Sequence, residues 1–286
     1  MKFAFIKEHL TEFAVDVCCR VLGVSRAGYY AWLKRPVSLR ARRREQLAEK
    51  IRRVHEQNRG VYGSPRVHRV LLAEGETVCE NTVADIMKER KIRAKIKKRF
   101  VPRTTDSDHQ QPVAKNHLGR KFVARRPNRK WVADITYIRT DEGWLYLAGV
   151  MDLHSRKIVG WSMADHMESE LVEDALKMAI ARRCPGKGLL HHSDRGSQYA
   201  GDDYRKLLKD WDIKLSMSGK GDCWDNAPME SFWATLKCEC VHHEHYATHE
   251  QARASIFEYI EVFYNRKRLH SALGYLSPEA FEAGLN

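Results

Sequence analysis

An aspartate in the middle of a strand constrains this chain more than any other feature. The run WVADITYI, Trp131 to Ile138, is β-rich, and it sets Asp134 between Trp131, Ala133 and Ile135 rather than at a solvated end. A carboxylate there is costly unless a cation or a metal ion compensates it. Asp141-Glu142-Gly143 then turns the chain into Trp144 to Met151, and His154-Ser155-Arg156 into Ile158 to Met163, so three consecutive strands predict an antiparallel meander.

Helices and strands alternate beyond the meander. Glu168 to Arg182 carries Leu171, Ala175, Met178 and Ala179 in helical register and stops at Pro185-Gly186. Leu189 to His192 reads as a short buried strand, Tyr199 to Lys209 as a helix, and Ile213 to Met217 as another strand. Met229 to Cys240 and His249 to Tyr264 form a helix-rich tail. The order β-β-β-α-β-α-β-α predicts an α/β fold of the ribonuclease H-like kind, a mixed five-stranded sheet with flanking helices.

Two more carboxylates fall at strategic points of that fold. Asp194, in HHSDRGSQY, ends the fourth strand at the carboxyl edge, where open α/β sheets place their ligands. Glu230 lies in a helix capped near Asn226, with Pro228 in its first turn, on the flank of a stripe made by Met229, Phe232, Trp233 and Leu236. Each acid alone has a plain structural use: Asp134 paired with a buried arginine, Asp194 capping the next turn, Glu230 on a solvated face. Together, three hard oxygen ligands around an open site suit two divalent cations that activate an attacking oxygen and stabilise a leaving one at a phosphodiester.

The front of the chain has a different character. Residues 1–130 hold 32 Lys and Arg against 13 Asp and Glu, while residues 131–286 hold 18 against 24, so the net charge of +13 arises from the amino-terminal half. Such a basic module suits a polyanion. Within Thr11 to Leu33 the spacing predicts two short helices around Gly23, the second capped by Ser25, which is a helix-turn-helix candidate. Leu39 to Arg53 reads as a solvated helix. A second helical pair follows, with Ser64-Pro65 starting the stripe Val67, Val70 and Leu71, and Asn81 capping the stripe Val83, Ile86 and Met87. Its end runs into Arg90, Lys91, Arg93, Lys95, Lys97, Lys98 and Arg99, a density suited to DNA phosphates. The expected organisation is a helix-turn-helix segment at 1–60, a basic helix-turn-helix-like module at 61–101, a linker at 102–128, a catalytic core at 129–245 and its helical tail at 246–286.

At 43% hydrophobic and 30% charged residues the composition is that of a globular domain, and no apolar run reaches the ~20 residues of a spanning helix. Lys7 and Glu8 interrupt any signal-peptide core, and seven scattered cysteines do not resemble a disulfide framework, so the expected compartment is the cytoplasm.

Asp194 and Glu230 are separated by 35 residues, and with Asp134 they resemble the DD(35)E signature of retroviral-integrase-like transposases. WVADITYI, YLAGVMDLHSRKIVGWSM, HHSDRGSQY, DNAPMESFWATLK and FYNRKRLHSALGYLSPEAF look like the downstream (orfB) product of the bacterial insertion-sequence 3 family, and GVSRAGYYAWL and RGVYGSPRVHRVL extend the likeness into the front half. The resemblance implies Mg2+-dependent cleavage at the ends of a mobile element, with Mn2+ able to substitute, and direct attack of the released 3′-hydroxyls on another phosphodiester. It implies Asp134, Asp194 and Glu230 as ligands of two metal ions. It implies as partners double-stranded DNA (terminal inverted repeats and target), a second copy of the chain on DNA, and an upstream orfA product or frameshift fusion supplying a further helix-turn-helix and a zipper not found from Met1 onward.

Lys237 lies seven residues after Glu230, about 20° off the same helical face, and is expected to hold a DNA phosphate near the reacting one. The basic run at Tyr264 to His270 is expected to touch DNA or the core. His191, His192 and Ser193 are candidates for general acid–base assistance, and Cys238, Cys240, His242, His243, His245 and His249 offer zinc-ligand types without the usual two converging pairs. Two other functions stay open from the residues alone: a non-catalytic DNA-binding protein, and a nuclease of the same fold that cuts without joining.

Overall fold

The computed structural model describes residues 1–95, 113–219 and 222–284. Gly23 adopts a left-handed conformation (φ +61) between α1 (Lys2–Glu8) with α2 (Val15–Leu22) and α3 (Arg26–Lys34), and the Ser25 hydroxyl accepts the Gly28 N–H at 3.0 Å, so the expected cap is present. Ile6, Cys18, Cys19 and Tyr29 form the small core of these three helices.

The next helix, α4 (Leu39–Gln57), is not simply solvated. It buries Leu47, Ala48, Ile51 and Val54 against α5 (Ser64–Ala73) and α6 (Glu80–Glu89), which contribute Val67, Leu71, Val83, Ile86 and Met87. Its polar majority hid that stripe, which recurs at helical spacing among seven Arg and Lys residues. Ser64 and Asn81 stand inside their helices, whose caps are Gly63 and Cys79. Of the basic run, Lys97, Lys98 and Arg99 lie outside the described residues.

The stretch read as linker is laid against the core from residue 113 onward. The Ser216 hydroxyl accepts the His117 N–H at 2.9 Å, Leu118 is buried, and Arg120 pairs with both Asp222 and Asp225.

The sheet has the order β3-β2-β1-β4-β5, with β1 (Lys130–Thr140) at its centre, flanked by β2 (Gly143–Asp152) and β3 (Ile158–Ala164). The meander is antiparallel as expected. Helix α7 (Ser169–Arg183) crosses back over β3, and β4 (Leu190–Ser193) then pairs parallel with β1. A single helix was expected at Tyr199 to Lys209; Gly201 (ψ 150) leaves the helical region instead and divides it into α8 (Ser197–Ala200) and α9 (Asp202–Asp210). β5 (Lys214–Met217) completes the sheet beside β4. One face carries α10 (Ala227–Glu239) and α11 (His249–Phe257), which continues as a wider π-helical segment to Tyr264; a short α12 (Pro278–Glu282) ends the described chain.

Residue identity sets how closely α7 approaches. A Cβ on Gly160 of β3 would stand 2.2 Å from the Ala175 carbonyl oxygen and 2.6 Å from the Ala179 nitrogen, so the helix backbone rests on the strand backbone. Gly160→Ala is expected to destabilise the fold by about 3 kcal/mol, because neither backbone can yield as a side chain would. Urea unfolding reads this directly; a midpoint equal to the parent's would contradict the packing.

Two apolar cores lie on the two faces of the sheet. The larger is continuous from α4–α6 through Val132, Ile138 and Met151 to α10 and α11, so the basic helical module and the sheet share one interior. Tyr62 ties them further, donating its hydroxyl to the Lys267 carbonyl at 3.2 Å and accepting the Leu269 N–H at 2.8 Å. Among the described residues no helix is long and apolar enough to cross a membrane.

Candidate active site

Strand register brings two of the three carboxylates together. β1 and β4 pair in parallel as far as Val132 and His192; Asp134 lies two residues further along β1 and Asp194 just past the end of β4, close enough for its charge to act on Asp134. The opposite neighbour of Asp134 on β2 is Gly149, where a Cβ would stand 2.8 Å from the ring of Trp233. The bare backbone lets the indole settle on the sheet, and its Nε1–H donates to Asp134 Oδ2 at 3.1 Å. The Ile135 N–H donates to the other oxygen at 2.9 Å, so both oxygens of Asp134 are oriented by neutral donors. Asp194 follows β4 directly and its Oδ1 accepts the Gly196 N–H at 3.0 Å.

Glu230 comes from the first turn of α10, whose start is fixed by Asn226 donating its amide to the Ala133 carbonyl at 3.0 Å. Its side chain is exposed, and the protein beneath it raises its carboxyl above the ordinary value. At Asp134 the shift is larger. Burial, then the charge of Asp194, then that of Glu230 hold its carboxyl well above the usual range, outweighing the two donors. The three acids therefore feel one another, with Glu230 the weakest contributor. Among the described residues no three His, Cys, Asp or Glu side chains already enclose an ion-sized point.

Other buried acids show what a structural carboxylate looks like here. Burial raises Asp225, but the Gly219 N–H at 2.9 Å and Arg120 at 2.8 Å outweigh it and leave the carboxyl below its ordinary value. Asp152 accepts the Asn128 and His154 N–H groups and faces Arg183 at 3.4 Å. Among the described residues Asp134 has no comparable ion pair; Lys237 is close enough to feel its charge. That ammonium lies 4.7 Å from the centre of the Tyr137 ring, lowered by burial and raised again by Asp134.

The two histidines before Asp194 are fully buried on opposite faces. His191 meets the Tyr204 hydroxyl at 2.6 Å, and His192 meets Ser216 and Ser218 at 2.9 and 3.2 Å. Burial, helped at His191 by its neighbour's charge, pushes them down to about 3 and about 4. Neutral near pH 7 and sealed from solvent, they hold the strand rather than carry protons. Because the unfolded chain takes up protons near pH 6.5 that the fold refuses, their stabilisation is complete above pH 6.5 and is lost as pH falls toward 4, by about 1.4 kcal/mol per pH unit for each ring. His191→Gln, which keeps a partner for Tyr204, is expected to move the midpoint of acid unfolding to lower pH. An unmoved midpoint would assign acid lability elsewhere.

The cysteine and histidine cluster disperses among separate partners. Cys240 is buried beside Ser255 and Tyr246, Cys238 meets the Lys95 carbonyl, and His245 pairs with Asp141 at 3.0 Å. In the basic run, Arg90 is held by Glu45 and the Lys95 ammonium donates to the Glu239 carbonyl at 3.1 Å, whereas Lys91 and Arg93 are exposed.

Comparison with known proteins identifies the family and the fold. The family model described as "Integrase core domain" matches residues 124–223, a second of the same description matches 230–284, and "HTH-like domain" matches 42–100. The transposase InsF of insertion sequence IS3A from Escherichia coli strain K12 is 45% identical over 284 residues, spanning 99% of this chain and 98% of that protein. The chain belongs to the IS3 family of transposases. A 31 kDa protein of insertion element IS600 from Shigella sonnei is 47% identical over 263 residues, covering 92% of this transposase and 96% of its own length. Among solved structures, the HTLV-2 integrase catalytic core domain in complex with magnesium aligns over 56% of the transposase and 97% of that chain, at 15% identity and a TM-score of 0.38.

The transposase thus has an integrase catalytic core, the fold expected from its element order. Sequence reasoning missed Trp233 as a donor to Asp134, having read it only as part of an apolar stripe. Its signal was available in the glycine of YLAGVMD, a residue without a side chain in the interior of that strand.

Proposed function

We propose that this transposase cuts DNA at the ends of its element and joins the released ends to a second DNA, with Asp134, Asp194 and Glu230 holding two Mg2+ ions. The observation that carries the reading is the placement of Asp134: buried on the central strand, close enough to Asp194 and Glu230 to feel their charge, and raised by burial and by Asp194. The donor set fits a hard divalent cation, being all carboxylate oxygen with the most buried member already disfavoured as a bare anion. Bound Mg2+, or Mn2+ in its place, would activate the attacking oxygen and offset charge on the leaving one.

This chain's own groups supply the positioning. The Trp233 and Ile135 N–H groups fix the carboxylate of Asp134, and the Gly196 N–H fixes that of Asp194, so two ligands are oriented before DNA arrives. In the first step water attacks the scissile phosphorus, the P–O3′ bond breaks, the 3′-oxygen gains a proton, and the strand ends as a 3′-hydroxyl and a 5′-phosphate. In the second, that 3′-hydroxyl loses its proton and attacks a target phosphodiester, displacing another 3′-oxygen. In this joining step one phosphodiester is broken and one is made, and the displaced 3′-oxygen takes up the proton, so joining needs no nucleotide hydrolysis.

Lys237 would hold a phosphate beside the reacting one, and the exposed Lys91 and Arg93 would hold phosphates farther along the duplex. Lys237→Ala is expected to slow joining about tenfold at sub-saturating DNA, the value of one charge-assisted hydrogen bond, and less at saturation. Equal rates at sub-saturating DNA would refute the role. Two ends must be held together, so assembly of at least two copies on DNA belongs to the reading, as does an orfA partner or fusion contributing to end recognition.

The test incubates the full chain, alone and with the orfA product, with duplexes bearing the inverted repeats of its element and with Mg2+. Cleavage and joined products support the reading. Cleavage without joining would mean a nuclease, and metal-independent binding without cleavage a DNA-binding protein.

A further inference from the structure

A cavity of about 410 Å3 opens on the side of α10 turned away from Glu230, between that helix, the β2–β3 turn, α5 and the segment that follows Tyr264. Three guanidiniums line it, from three different elements: Arg66, Arg156 and Arg268. Only Arg268 has a carboxylate partner, the buried Glu239 at 2.6 Å. Arg66 donates Nε to the Leu269 carbonyl at 2.8 Å and lies over the Tyr62 ring, and among the described residues neither it nor Arg156 forms an ion pair. Arg156 is presented by a turn in which it adopts a left-handed conformation (φ +61), which a residue with a side chain resists.

The fourth basic group adds no charge. His270, which lines the same cavity as the three guanidiniums, is pushed down to about 3 by burial and by Arg268, Arg66 and Arg156. As the neutral ring it faces Arg268 Nη1 at 3.4 Å through Nε2. Three positive charges against one carboxylate, all partly withdrawn from water, repel one another until an anion enters. Ser231 and Thr235 of α10 line the same wall, the Thr235 hydroxyl donating to the Ser231 carbonyl at 2.8 Å. Guanidinium forks flanked by hydroxyls match tetrahedral oxyanions, phosphate above all.

We propose that this cavity binds a phosphate group, supplied by the backbone of a DNA strand that passes α10 beside the carboxylates. The choice of DNA rests on the function proposed above; Ser231 directly follows Glu230, about 100° around the same helix, so a strand at the acids lies within reach of the cavity.

Equilibrium binding in EDTA tests it without cleavage. The full chain and its Arg66→Gln/Arg156→Gln double variant are titrated onto a fluorescent duplex carrying the element end, between 50 and 200 mM KCl (about this range suits counterion release). In the double variant, the slope of log K against log salt is expected to shrink by about 0.9, one phosphate, although two arginines are removed. In parallel, inorganic phosphate is added in thermal melts. An unchanged slope together with phosphate stabilisation of the parent alone would keep the phosphate site and assign it to a free phosphate. An unchanged slope with no phosphate effect on either protein overturns the proposal. Removing mutually repelling charges favours folding of the variant. Should it not fold, the Arg66→Lys/Arg156→Lys pair reads the same point: slope kept and affinity reduced supports the forked contact, and parental affinity overturns it. Failure of the parent to cut DNA would defeat the function above and leave this slope standing.

Discussion

Asp134→Asn is expected to lower cleavage and joining by about 10³-fold or more while leaving DNA binding intact, since several kcal/mol of transition-state stabilisation depend on a metal ligand of this kind. The same variant is expected to melt higher than the parent in metal-free buffer at pH 8. The sign follows from the raised carboxyl: the unfolded chain ionises near pH 4, the folded chain resists ionisation, and stability falls as pH climbs between the two values. An amide carries no such penalty. Mg2+ should then raise the melting temperature of the parent and barely move the variant, because only the parent presents the anionic ligand. Calorimetry with and without Mg2+, beside a strand-transfer assay, checks both halves. Parental turnover in the variant would remove Asp134 from the chemistry.

Arg268→Met is expected to cost about 3–5 kcal/mol, the largest effect on stability foreseen here. Arg268 grips both oxygens of Glu239 at 2.6 and 2.8 Å, and the Tyr259 hydroxyl donates to the same carboxylate, all within the protein interior. Truncation strands a buried anion at the end of α10. Combining Arg268→Met with Glu239→Leu should recover most of the loss, since the pair itself contributes little beyond its own desolvation. Denaturant midpoints of the two single variants and the double settle this; additive losses would show that the pair is not coupled.

Local pattern made the sheet legible. WVADITYI and its two neighbours are β-rich between turn residues, Asp134 is conspicuous as a charge inside such a run, and Asn226 with Pro228 marks the start of the helix of Glu230. What stayed hidden was set by partners far along the chain. Arg268 sits in a run expected to touch DNA or the core, and the choice between the two is decided by Glu239, 29 residues away. Arg90 looks free for DNA until α4 supplies Glu45. The apolar stripe of α4 is diluted by arginines, and Gly201 breaks a helix whose apolar spacing continues across it. His191 and His192 carry no mark of burial except their place in a strand flanked on both faces, which only the strand order reveals.

The late closure of the sheet also has a consequence during synthesis. β1 cannot pair with β4 until Leu190 has left the ribosome, α10 follows at residues 227–239, and its clasp waits for Arg268. At ordinary elongation rates the interval from Asp134 to Arg268 lasts roughly ten seconds, during which α4–α6 are already out but lack the α10 and α11 residues that share their core. A nascent or prematurely terminated chain therefore exposes the apolar face of its basic helices, and α10 and its clasp have yet to cover it.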